Sequence, residues 1–193
     1  VQVRNITLGE GRPKICVPIV GQTKDDILLE AGTFARIPVD VVEWRVDWFE
    51  DVFDTDKVLD VAKDLQTILK DTPILFTFRT SKEGGEKAIS NEAYKALNMA
   101  VAKSGYVDLI DVEAFTGEEI VKSMIREAHS YGVKVIASNH DFDKTPDKED
   151  IVGRLRKMQD LGADIPKIAV MPQRKLDVLT LLLGTKYDKV QAF

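Results

Sequence analysis

The sequence predicts an α/β fold whose parallel sheet curves into a barrel, and three observations predict it. Six short apolar runs rich in Val, Ile and Phe recur roughly 25 to 35 residues apart, as successive βα units do. The stretches between them carry helix start and stop signals. Strand after strand also shows one polar face, which an open sheet covered by helices on both sides would not tolerate. A barrel tolerates it, because inward side chains near the C-terminal strand ends line a mouth.

The elements follow in order. The opening segment, 1–14, reads as a β-hairpin: a polar strand, a turn at "GEG" (9–11) and a return. The predicted strands are "ICVPIV" (15–20), "VVEWRV" (41–46), "ILFTFR" (74–79), "LIDVEA" (109–114), "KVIASNH" (134–140) and "IPKIAVMP" (165–172). Thr23 with Asp26, and Ser90 ahead of "NEAYKALNMAVAK", mark helix N-termini; Thr145-Pro146 reads as an N-cap with proline in the first turn. Gly105, Gly132 and Gly162 close helices before the next strand. In "DIVGRLRKMQDL", Ile151, Leu155, Met158 and Leu161 form one apolar stripe.

Alternation sorts each strand into two faces. Glu43 and Arg45 oppose Val42, Trp44 and Val46; Thr77 and Arg79 oppose Ile74, Phe76 and Phe78. Asp111 and Glu113 oppose Ile110 and Val112; Ser138 and His140 share a parity, and Lys167 lies with Ile165, Ala169 and Met171. Five strands therefore send polar groups to one side.

Composition narrows the function. A net charge of -5 argues against nucleic-acid or anionic-membrane partners, which call for a basic face. The single cysteine, Cys16, allows no internal disulfide and suits a reducing, cytoplasmic setting. No run approaches the roughly 20 apolar residues that span a bilayer, and no secretory signal is visible in "VQVRNITLGEGRPK". Two histidines and one cysteine form no metal-ligand spacing, and no glycine-rich phosphate loop is present, so neither metal nor cofactor is expected.

Lys167 stands in the apolar run "DIPKIAVMP" (164–172). It is either paired with Asp111 or Glu113, or set between arginines in a desolvated mouth and poised to form an imine with a carbonyl. His140 in "SNHD" is either a hydrogen-bonded structural residue or a general base oriented by a carboxylate such as Glu113. Arg45 and Arg79 are either partners of Glu43 and the other carboxylates or a clamp for an anionic, hydroxyl-rich substrate. "KEGGE" (82–86) is a plain βα turn or a mobile loop over the mouth. His129, near a helix C-terminus, is expected to interact with the helix dipole.

Together "EWRVD", "LFTFRTSKEGGE", "SNHDFDKTP" and "ADIPKIAVMPQ" resemble the type I 3-dehydroquinate dehydratases. The resemblance implies a (β/α)8 barrel of the TIM type acting as a cytoplasmic homodimer without metal or cofactor. The implied reaction converts 3-dehydroquinate to 3-dehydroshikimate, a step of the shikimate pathway. It assigns the Schiff base to Lys167 and proton transfer to His140. Glu43, Arg45 and Arg79 match substrate-holding positions, and Glu83 matches the acidic residue near the histidine. The chain differs in showing about six of eight βα units, so a single barrel domain over 1–193 is expected to be C-terminally truncated, lacking the strands that bring an arginine and a serine- and glutamine-bearing loop. Pro18 stands in the first strand where many relatives carry a small polar residue. An aldolase-like Schiff-base barrel and an inactive remnant are the alternative readings.

Overall fold

Each of the six apolar runs forms a strand in the computed structural model, which describes residues 1–186. The C-terminal end of the expected domain falls outside them. The hairpin strands are β1 (Gln2–Val3) and β2 (Ile6–Thr7). There follow β3 (Cys16–Ile19), α1 (Lys24–Phe34), β4 (Val41–Arg45), α2 (Thr55–Leu69), β5 (Ile74–Thr77) and α3 (Asn91–Ser104). The order continues β6 (Leu109–Glu113), α4 (Glu118–Ser130), β7 (Lys134–Asp141), α5 (Lys148–Asp160), β8 (Ile165–Val170) and α6 (Lys175–Thr185). Short 3-10 turns at Val46–Trp48 and Ser81–Glu83 follow β4 and β5.

The strands β3 to β8 pair in chain order, all parallel. Packing shows that this sheet curls. Val41, Leu75, Leu109, Ile136 and Ile165, one from each of β4 to β8, form a single buried cluster with Val3 and Leu8, and Cys16 of β3 packs on it. In a flat sheet β3 and β8 would stand about 24 Å apart, five strand spacings. The hairpin segment thus plugs the bottom of the curl, Val3 and Leu8 buried in the cluster and Val1 and Ile6 packed against it. On the outer side, Val42, Trp44, Phe76, Ile110, Val112 and Val135 pack under the helices in the main core. The opposed parities read from the sequence are therefore the two sides of the curled sheet: apolar toward the helices, and inward an apolar floor with polar groups above it.

Local signals explain most helix ends. Thr23 and Ser90 cap α1 and α3 by accepting from the Asp26 and Ala93 amides. Gly105, Gly132 and Gly162 follow α3, α4 and α5 in left-handed conformation. Ile151, Leu155, Met158 and Leu161 are all buried.

Three expectations are corrected. The hairpin turns at Arg4 and Asn5 rather than at "GEG". Arg4 takes a left-handed φ of 46° and is held there by long-range bonds, to Asp108 at 2.6 Å and to the Lys70 carbonyl. The cap of α5 is Asp147, whose carboxylate accepts from the Asp150 amide at 2.9 Å; Thr145 and Pro146 lie before the helix. A carboxylate at a helix N-terminus adds charge stabilisation that a threonine lacks. His129 makes a hydrogen-bond contact as well as any dipole interaction, its Nε2 lying 2.7 Å from Asp164 Oδ2.

Candidate active site

The inward polar layer gathers where the strands end. Register places Arg45 beside Thr77 and Ser138 beside Lys167, so residues far apart in sequence become lateral neighbours. Thr77 Oγ1 donates to Glu43 Oε1 at 2.8 Å. Both Glu43 and Arg45 keep partial exposure toward the mouth.

Arg45 does not pair with Glu43. It makes a bidentate contact with Asp47, Nε and Nη2 each at 2.9 Å from a carboxylate oxygen. Asp47 is fully buried, and it also accepts from the Arg79 and Glu86 amides while its carbonyl accepts from Lys87 Nζ. It is a hub that alternation could not reveal, because it lies past the strand end in a 3-10 turn. Its one sequence signal was its place in "EWRVD".

Arg79 is 3% exposed. Its Nη2 lies 2.8 Å from Asp111 Oδ1, and its Nη1 lies 3.2 Å from Glu113 Oε1 and 3.0 Å from Ser138 Oγ. The fork is thus turned to protein carboxylates, which keeps it charged despite its burial. Burial works to raise the pKa of Asp111, but Arg79, then Lys167 and the Ser138 hydroxyl, hold it below the usual carboxylate range. For Glu113 burial prevails and the carboxyl sits above its usual value, although Thr80 donates to it twice.

Lys167 projects from the middle of β8 with 29% of its side chain exposed and Nζ 3.8 Å from Asp111 Oδ2. The expected pair of unneutralised arginines is absent, since each arginine already holds a carboxylate. Of the two readings set against each other from sequence, the geometry shows the ion pair with Asp111. Cys16 lies near Glu43 and Lys167, and its thiol is pushed up to about 12, first by burial and then by Glu43.

His140 is oriented by Glu83, not by Glu113. Glu83 Oε2 lies 2.9 Å from His140 Nδ1 and accepts from the His140 amide at 3.0 Å. Glu113 is instead occupied by Arg79 and Thr80. Two further residues support this arrangement and were missed: Asn139 Nδ2 donates to Glu83 at 3.2 Å, and Arg154 Nη1 donates to Asn139 Oδ1 at 2.9 Å. A neutral imidazole whose Nδ1–H faces a carboxylate presents Nε2 as its basic atom.

The "KEGGE" segment is a tied turn. Gly85 N–H donates to the Thr80 carbonyl at 2.8 Å, and a Cβ at Gly85 would land on the Arg79 carbonyl oxygen. Gly84 takes φ +81° against the Phe142 ring, which lies nearly parallel to the His140 imidazole, with 6.1 Å between ring centroids. Beside the loop, a cavity of about 330 Å³ is bordered by Glu83, Tyr94, Glu113, Phe115, Asn139 and His140. Among the described residues no cluster of His, Cys, Asp and Glu is arranged to hold a metal ion, and no helix is long and apolar enough to cross a membrane.

A curled parallel sheet with lysine, imidazole, arginines and carboxylates converging at its strand ends defines an α/β-barrel enzyme. Comparison with known proteins narrows that class. The family model for type I 3-dehydroquinase matches residues 15–188, and the chain belongs to that family. It is 56% identical over 185 residues to a 3-dehydroquinate dehydratase of Clostridioides difficile, covering 96% of this chain and 72% of that protein. With a relative of the same name from Clostridium botulinum it shares 56% over 189 residues, covering 98% and 74%. Among solved structures, the type I 3-dehydroquinate dehydratase of Clostridium difficile carrying covalently modified comenic acid superposes with a TM-score of 0.97 at 52% identity, covering all of this chain and 77% of that one. The enzyme of Enterococcus faecalis gives 0.94 at 48%, covering 98% and 81%. The chain thus spans about three quarters of the length of these relatives. A deoxyribose-phosphate aldolase described as putative, from Toxoplasma gondii, superposes at 0.62 with 14% identity, a likeness of fold alone.

Proposed function

We propose that this chain removes water from 3-dehydroquinate to give 3-dehydroshikimate in the shikimate pathway, with Lys167 as the Schiff-base residue and His140 as the proton carrier. One observation carries the reading: Lys167 and a carboxylate-oriented His140 rise from adjacent strands on one inward face, in a chain 55–58% identical to curated dehydratases.

The chemistry follows from those two groups. Lys167 Nζ adds to the substrate ketone, and the carbonyl oxygen departs as water, leaving a protonated imine. That iminium is an electron sink, so the adjacent C–H becomes acidic within reach of a positioned base. His140 Nε2 takes the proton while Glu83 supports the imidazolium formed. The electron pair then expels the β-hydroxyl, which leaves as water with the proton His140 returns. Hydrolysis of the conjugated imine releases the enone and restores the amine.

Glu43 and Arg45, partly exposed at the mouth, hold substrate hydroxyl and carboxylate groups. Arg79 contributes through the charge it fixes on Asp111 and Glu113, and Glu83 through His140. No step calls for a metal or cofactor. A homodimeric assembly and a cytoplasmic location accompany this reading through the family resemblance. The test is the conjugated enone's ultraviolet absorbance after mixing with 3-dehydroquinate. His140→Ala is expected to retain the borohydride-trapped adduct but lose enone formation by about a hundredfold or more. Enone formation unchanged in His140→Ala or Lys167→Ala contradicts the assignment.

A further inference from the structure

Asp111 Oδ2 is a buried carboxylate oxygen with no hydrogen-bond partner among the described residues. The other oxygen, Oδ1, is fully engaged: Ser138 Oγ donates to it at 2.6 Å, and Arg79 Nη2 lies 2.8 Å away. The side chain is completely buried, and Arg79 keeps it ionised, so Oδ2 is an anionic acceptor with an open lone pair. It points toward Lys167, whose Nζ is 3.8 Å distant, beyond a direct hydrogen bond yet within strong Coulomb range. Lys167 is the nearer group outside the arginine contact, and its nitrogen can move, since it ends a flexible four-carbon stem.

From this geometry we infer that Asp111 is the counter-ion of the Lys167 iminium, a positioning residue that keeps the imine nitrogen protonated through the proton-transfer steps. The inference rests on Lys167 being the Schiff-base residue. The balance of the step explains the need. When the ammonium form of Lys167 condenses with a ketone, two of its hydrogens leave with the carbonyl oxygen as water. One N–H and the positive charge stay on nitrogen. An ordinary ketimine gives that last proton up to solvent readily, and with it the electron sink. A fixed anion beside the nitrogen opposes the loss, and Oδ2 is free to accept the remaining N–H. Asp111 cannot act as the acid here, because it is held ionised by Arg79 and Ser138. The other titratable or charged groups facing this nitrogen's surroundings are Glu43 and Cys16, which share an environment with Lys167, and His140, one strand over; Arg79 is neutralised by Asp111 and Glu113.

The test reads the imine spectrum rather than turnover. The protein is incubated with 4-(dimethylamino)cinnamaldehyde, whose protonated imine absorbs well to the red of the neutral imine, and the band is followed against pH. Lys167→Ala supplies the background. Asp111→Asn is expected to move the conversion from protonated to neutral imine down by about one to three pH units, the effect of an opposite charge at such distance. Asp111→Asn leaves Arg79 its contacts with Glu113 and Ser138, and Asp111→Glu, which keeps the negative charge, is the conservative control. Asp111→Glu is expected to hold the conversion nearer its wild-type pH than Asp111→Asn does. An imine present in the wild type whose conversion does not move in Asp111→Asn overturns the inference and leaves the Schiff-base reading standing. An imine that never forms, or that forms equally in Lys167→Ala, overturns both.

Discussion

Arg79 illustrates how the face of a residue can be read from sequence while its contacts cannot. Its parity and strand-end position marked it as inward, and it is buried on that side among residues of the neighbouring strands. Its partners depend on register across three strands, and no pattern within one strand encodes register. The outcome is a guanidinium locked between Asp111, Glu113 and Ser138. Arg79→Met leaves two buried carboxylates without their cation and is expected to cost about 3–5 kcal/mol in urea denaturation. A cost near that of an exposed ion pair, under about 1 kcal/mol, would contradict a buried network. The same limit applies to His140. Its need for a carboxylate was legible, but the residues alone pointed to Glu113 and only the family resemblance put Glu83 near it. The turn after β5, folding back across the strand ends, brings Glu83 to the ring.

At the scale of elements, the caps and apolar stripes were legible because they depend on residues only a few positions apart. Asp47 and Arg154 were not, because each acts between elements. Arg154 stands on α5, clasps Asp150 with two bonds of 3.1 and 2.9 Å, and donates to Asn139. A guanidinium can only donate, so it fixes the Asn139 carbonyl outward and its amide toward Glu83. Arg154→Ala should therefore lower the rate of enone formation several-fold with little change in far-ultraviolet circular dichroism, and Arg154→Lys should recover part of the loss. An unchanged rate would separate α5 from the site.

At the opposite end of the sheet, Asp164 ties β7 and α4 to the loop before β8. Burial tends to raise its carboxyl, but the Val135 amide, His129 and Lys134 lower it below 3.8 overall. A lowered folded value means the unfolded chain binds the proton more tightly. Its contribution is thus fully present above pH 3.8 and is lost as pH falls through the lower folded value. Asp164→Asn should be less stable than the wild type at neutral pH, with the difference shrinking in acid. A difference that stays constant down to about pH 2 would rule the linkage out.

Across the whole molecule, one alternation pattern does two jobs. Residues of the same parity build the apolar floor under the hairpin and, a step or two further along each strand, the polar mouth. That is why polar residues on strand after strand pointed to a barrel, and why fold and site were legible together. The sheet's outer strands, β3 and β8, each pair on one side only among the described residues. Next to them Ile15 and Leu29 on one side, and Met171, Leu176, Leu179 and Leu183 on the other, are exposed. Their exposure depends on what packs beside the outer strands, which the pattern within one element does not encode.

The decisive measurement is the intact mass after incubation with 3-dehydroquinate and borohydride, followed by peptide mapping. A single reduced adduct on Lys167, absent in Lys167→Ala, is the expected result. A fully folded protein that gains no mass, or gains it on another lysine, would contradict the assignment of the lysine at the heart of this site.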